Sequence, residues 1–134
     1  MRRPQARVRI DFSESVSIGP GKIGLLEQIE RCGSLSAAAR ELKMSYRRAW
    51  LLLTNVNTSF SEPVAALSVG GVEGGGARLT PFGHRLVAEY REFQGRVDEL
   101  VQKTFADIRP ARASPGKSSP RRAIKRAVTG DAKS

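Results

Sequence analysis

The chain is poor in the residues from which reactive sites are built: its 134 residues include one cysteine, one histidine and one tryptophan. A single thiol, Cys32, closes no disulfide within the chain, which fits a reducing compartment and casts this residue as a small, buried apolar side chain. His84 has no cysteine or second histidine near it at ligand spacing, so no metal site is expected and the imidazole should face solvent. No apolar stretch reaches the roughly 18 residues that a membrane span requires. The opening MRRPQARVRIDF is basic but has no apolar region, so it does not read as a secretory signal. Acids are also in short supply, with 13 Asp and Glu against 23 Lys and Arg, for a net charge of +10. The partners of such a chain are polyanions. Glu89, Glu92, Asp98 and Glu99 read as a solvated helix face, and no nucleophile, base and orienting group accompany them. The chain is therefore expected to be a cytoplasmic protein, not an enzyme, with no membrane contact, cofactor or metal.

The charge is unevenly placed. Residues 110–134 carry seven Lys and Arg against one Asp, a net of +6 out of the total +10, and only Ile124 and Val128 as larger aliphatics. Such a segment buries too little apolar surface to offset its ordering entropy, so it is expected to be a disordered basic tail. Residues 1–109 are then one domain, itself only mildly basic, and specificity must come from placed residues.

Within that domain, residues 7–12 alternate Val8, Ile10 and Phe12 with Arg7, Arg9 and Asp11, the pattern of a half-buried strand. After a turn-like SIGPGK, Ile23, Leu26 and Ile29 recur at helical spacing from Lys22 to Cys32, with Gly33 as the stop. Ser34 caps a short helix, LSAAARELK, whose three consecutive alanines permit close helix crossing. Ser45 caps a third helix, from Tyr46 to about Phe60, that buries Ala49, Leu52, Leu53, Val56 and Phe60. A short helix, a tight turn and a longer helix with a polar start form a helix-turn-helix.

Residues 63–69 and 77–80 are short apolar strands flanking GGVEGGG, a hairpin with a glycine-rich tip. That loop lacks the Gly-Lys-Ser/Thr ending of a P-loop. Thr80 and Pro81 open a last helix, 82–108, with Leu86, Tyr90, Phe93, Val97, Leu100 and Thr104 at alternating spacings of four and three. Val101, Phe105 and Ile108 form a second row, and Arg85–Glu89, Glu92–Arg96 and Glu99–Lys103 are candidate ion pairs. At about 1.5 Å per residue this helix is roughly 40 Å long, more than so small a domain needs for its own core. The expected fold is mainly α with a small β component, a winged helix-turn-helix with a long C-terminal dimerisation helix.

The stretch from Ile18 to Asn57, and GGVEGGGARLTPFGHRL after it, resemble the DNA-binding domain of the ModE family, molybdate-responsive bacterial regulators. The segments that carry this likeness are Met44-Ser45-Tyr46 with Ala49-Trp50, the glycines of 70–76, and Leu79-Thr80-Pro81 with Gly83. GSLSAAA is more loosely similar to LysR-type regulators. The resemblance implies DNA binding and dimerisation over residues 7–108. Two-domain ModE proteins continue into molybdate-binding repeats, and the resemblance carries molybdate sensing onto no residue here.

Residues at the start of a recognition helix point into the major groove, where arginine bonds guanine bidentately. Tyr46, Arg47, Trp50 and Thr54 share the face opposite the buried set. Tyr46 and Arg47 are therefore expected at the bases, Arg48 at a phosphate, and Trp50 at the DNA backbone or beside the wing. Ser34, Ser36 and Ser45 cap helices and can also bond phosphates. Arg78, at the root of the wing, is expected in the minor groove or on a phosphate. Leu86, Tyr90, Phe93, Val97, Leu100 and Phe105 are the expected dimerisation residues. The expected function is a sequence-specific transcriptional regulator that binds a near-palindromic operator in double-stranded DNA as a homodimer. The alternatives are a non-specific architectural DNA- or RNA-binding protein, and a DNA-binding subunit that needs a separate molybdate-sensing protein.

Overall fold

The computed structural model describes residues 3–68 and 75–112. The order of elements is β1 (Ile10–Asp11), β2 (Ser17–Ile18), α1 (Pro20–Cys32), α2 (Leu35–Glu41), α3 (Tyr46–Ser59), β3 (Ala65–Ser68), β4 (Gly76–Leu79) and α4 (Pro81–Thr104). The glycine-rich tip of the expected wing and the basic tail from residue 113 lie outside the described residues. No helix among the described residues is long and apolar enough to cross a membrane.

Local chemistry sets the helix boundaries. Pro20 opens α1 at a position where its missing N–H has no intrahelical partner. Gly33 ends it with φ 76°, a left-handed conformation that costs glycine little, and donates its N–H to Ile29 O at 2.9 Å. Ser34 Oγ accepts from Ala37 N at 3.1 Å, Ser45 Oγ from Arg48 N at 3.1 Å, and Thr80 Oγ1 from Gly83 N at 3.0 Å, so each following helix has a side-chain cap.

The core gathers around α1, whose Ile23, Leu25, Leu26 and Ile29 are all fully buried. Leu35, Ala38 and Ala39 of α2 and Ala49, Leu53 and Val56 of α3 complete one side of it. The buried Ala38, Ala39 and Ala49 meet where the helices cross, and bulkier side chains there would force them apart. Val64 and the inward-facing Ala65, Ala77 and Leu79 of the β3–β4 hairpin close the other side. That hairpin is antiparallel, pairing Ala65 with Leu79 and Ser68 with Gly76.

Several expectations are corrected. The strand over 7–12 reduces to Ile10–Asp11, paired with Ser17–Ile18. The stretch expected as a turn before the first helix is thus a strand followed directly by the helix start at Pro20. Residues 3–8 run along α4 instead of pairing in a sheet. Tyr90 Oη donates to Val8 O at 2.7 Å and Gln94 Nε2 to Ala6 O at 2.8 Å. Asp98 accepts from Ala6 N at 3.2 Å, and Arg3 reaches Gln102 at 3.4 Å. Residues 90, 94, 98 and 102 are successive turns of one helix face, so the N-terminal segment forms a strap along that face.

Helix α4 has 24 residues and ends at Thr104; Phe105 and Ile108 lie in the turn beyond it and are 49% and 68% exposed. The expected apolar stripe also divides. Tyr90 is buried with Ile18 and Ile23 inside its own chain, and Leu86 packs against them. Phe93 and Leu100 face outward, while Val97 is half-buried. The pairs Arg85–Glu89 and Arg96–Glu92 form at 2.8 and 3.6 Å, but Glu99 and Lys103 form none among the described residues. Cys32 is half-buried rather than buried, its thiol 3.7 Å from Gln28 Oε1. His84 is exposed but leans on Glu30, 3.5 Å away.

Candidate nucleic-acid interface

The short helix α2, a turn through Lys43 and the longer α3 place the polar start of α3 clear of the core. Ala49, Leu53 and Val56 anchor one face of α3, so Tyr46, Arg47, Arg48, Trp50 and Leu51 are exposed. Arg47 and Arg48 belong to no ion pair among the described residues, and α3 itself holds no acid. Two acids of the helices that pack on α3 are paired elsewhere. Glu41 pairs with Arg31 at 2.9 Å, and both Glu27 oxygens receive Arg91 at 2.7 and 2.6 Å. That bidentate bond raises the Arg91 pKa and ties α1 to α4. Among the described residues the exposed start of α3 thus has positive charge in no ion pair, as a surface for a polyanion requires.

The wing is held to this surface by a residue that the sequence patterns did not single out. Asn57 Oδ1 accepts from Val64 N at 2.8 Å and from Ala65 N at 3.1 Å, while its Nδ2 donates to Ala65 O at 3.2 Å. A carboxamide satisfies both kinds of backbone group at once, so α3 itself sets where β3 begins. On the other side of the hairpin, Ala77 N donates to Gly33 O at 2.9 Å. Between the start of α2, the start of α3 and the hairpin lies a cleft of about 240 Å³ lined by Ser36, Tyr46, Leu67, Ser68 and Gly75 among others.

The expected site residues fall into two groups. Ser34 and Ser45 are engaged as caps at the starts of α2 and α3, Ser36 and Tyr46 line one cleft, Arg47 and Trp50 are exposed on α3, and Arg48 lines a different groove with Arg9, Lys22 and Met44. Thr54, expected on the same exposed face, is half-buried. Arg78 lies on the hairpin. It pairs with Ala66 on the outward face of the hairpin and lines a cleft with Glu30 and His84. Leu51, Asn57 and Leu67 join the surface unannounced. The run Trp50-Leu51-Leu52-Leu53 held a signal for Leu51, because only Leu52 and Leu53 fit the buried spacing. Asn57 had none, since its partners lie beyond the helix end. Among the described residues no three His, Cys, Asp or Glu are grouped to hold a metal.

A short helix, a tight turn, a capped second helix with an exposed basic start, and a hairpin fastened beside it define a winged helix-turn-helix protein. No protein-family model matches the chain. It is 37% identical over 102 residues to the molybdenum transport protein ModE of Azotobacter vinelandii, covering 73% of this chain and 38% of that one. It is 37% identical over 96 residues to the DNA-binding transcriptional dual regulator ModE of Escherichia coli K12, covering 72% and 35%. The molybdenum-pterin-binding protein MopB of Rhodobacter capsulatus is 42% identical over 84 residues, covering 63% and 31%. The chain belongs to the ModE family and spans about a third of the length of the curated relatives it matches.

Proposed function

We propose that this chain is a cytoplasmic, sequence-specific DNA-binding regulator that acts as a homodimer. The exposed start of α3 carries this reading: two arginines and a tyrosine stand out from a capped helix, and among the described residues neither arginine is in an ion pair. Arg47 reads a base edge in the major groove, and Arg48 with Ser36 holds the flanking phosphates. The wing lies over the adjacent backbone. Phe93, Val97 and Leu100 of α4, with Phe105 just past its end, provide the dimer contact, and the dimer aligns two recognition helices with two half-sites. Tyr90 and Leu86 support that helix from inside the subunit. Relatives are named for transcriptional regulation and for molybdenum.

The test is competition binding of wild type and Arg47→Ala to a duplex selected from a random pool, against random duplex. Wild type should prefer the selected duplex by about 10³-fold or more. Arg47→Ala should lose about 1–3 kcal/mol of that preference. Equal loss on every sequence would assign Arg47 to phosphate. Wild-type binding that shows no preference and collapses with salt would make the protein a non-specific binder.

A further inference from the structure

We propose that Leu51 reads a thymine methyl group in the major groove, as the apolar partner of Arg47; this rests on the reading that α3 enters that groove. Three observations carry the assignment.

First, Leu51 is surplus to the core. Leu53 is 2% exposed and Leu52 packs against the core, whereas Leu51 is 50% exposed on the opposite side of the helix. Second, the exposed surface of α3 splits into two strips. Tyr46, Trp50 and Asn57 are spaced by four and seven residues and so share a strip. Asn57 bonds Val64 and Ala65, and Tyr46 lines the cleft with Leu67, so this strip is the one turned toward the wing. Arg47 and Leu51, four residues apart, form the neighbouring strip, which faces away from both wing and core. It is the part of α3 free to meet the groove floor. Third, the chemistry selects the partner. Leucine has no donor or acceptor, and a phosphate offers it nothing. The apolar group that bases present in the major groove is the thymine C5 methyl. One helical turn carries Leu51 about 6 Å along the axis from Arg47, and bases are spaced about 3.4 Å along a strand. The thymine therefore lies one or two steps from the guanine bound by Arg47.

The test replaces each thymine of the selected duplex, one at a time, with deoxyuridine, which removes the methyl and leaves the pairing edge intact. Binding is followed by fluorescence anisotropy at fixed salt. Wild type should weaken about three- to tenfold at one thymine per half-site and stay unchanged at the others. Leu51→Ala should bind the thymine duplex more weakly and be indifferent to deoxyuridine there, while Leu51→Met keeps the dependence. Leu51 is exposed, so both variants should melt with wild type. Wild type indifferent to every replacement, or Leu51→Ala as sensitive as wild type, overturns the assignment. A pool that yields no preferred duplex overturns the sequence-specific reading itself, and this inference with it.

Discussion

Replacing Gly83 with alanine sets helix propensity against packing. Gly83 lies in the first turn of α4, where alanine would by propensity gain up to about 1 kcal/mol. Its backbone needs no glycine, because no positive φ occurs there. The constraint is spatial. A Cβ on Gly83 would lie 2.0 Å from Val64 O, 2.9 Å from Val64 C and 3.3 Å from Val64 Cα. Carbon–oxygen contacts normally begin at about 3.3 Å, so the helix or the strand must retreat by roughly 1 Å.

Neither is free to do so. Val64 O accepts the Thr80 N–H at 3.0 Å, Val64 N donates to Asn57 at 2.8 Å, and the Val64 side chain is fully buried. Overpacking of this kind costs about 1–3 kcal/mol, and disturbing a hydrogen bond adds about 1 kcal/mol. Gly83→Ala should therefore lose about 1–3 kcal/mol net. For a domain of this size that lowers Tm by roughly 5–20 °C. Thermal unfolding at fixed protein concentration, followed by circular dichroism, measures it. A Tm equal to or above that of wild type would show that propensity wins, and would refute the claim that Gly83 is there to let α4 approach the wing root.

Two further outcomes follow from α4. Phe93→Glu with Leu100→Glu should convert a dimer into monomers in sedimentation at micromolar concentration without lowering the cooperativity of melting; a wild type already monomeric would remove the dimer from the proposed function. Tyr90→Phe should cost about 0.5–1.5 kcal/mol through the lost bond to Val8. It should also change the alkaline limb of stability. Burial raises the Tyr90 phenol above its ordinary pKa of about 10. With the folded value raised, its contribution is fully present below that ordinary value and is lost as pH rises through the folded one. Urea unfolding across that range should show wild type losing stability that Tyr90→Phe does not lose, and parallel declines would refute the assignment.

What the sequence determined by itself was local. The stop at Gly33, the caps at Ser34, Ser45 and Thr80, and the alanines at the helix crossing all act within a few residues, and their chemistry is visible as spacing. The exposure of Tyr46, Arg47 and Trp50 was legible for the same reason: once three- and four-residue spacings define the buried face of α3, its opposite face follows, although Thr54, read with them, is half-buried. Tertiary structure decided everything that depends on what lies across the chain. The strap on α4 joins groups 82 to 99 residues apart through side-chain bonds to backbone and to Gln102, which leave no periodic trace. A heptad-like stripe shows that one side of a helix is apolar, but not what covers it, and so Leu86 and Tyr90 went to the chain's own core while Phe93 and Leu100 did not. Strand alternation places Arg78 on the outward face of the hairpin, and only the docking of that hairpin through Asn57 and Gly33 fixes which way that face looks. Gly83 is the sharpest case. In sequence it is a weak helix former, and its purpose exists only in the distance to Val64 O.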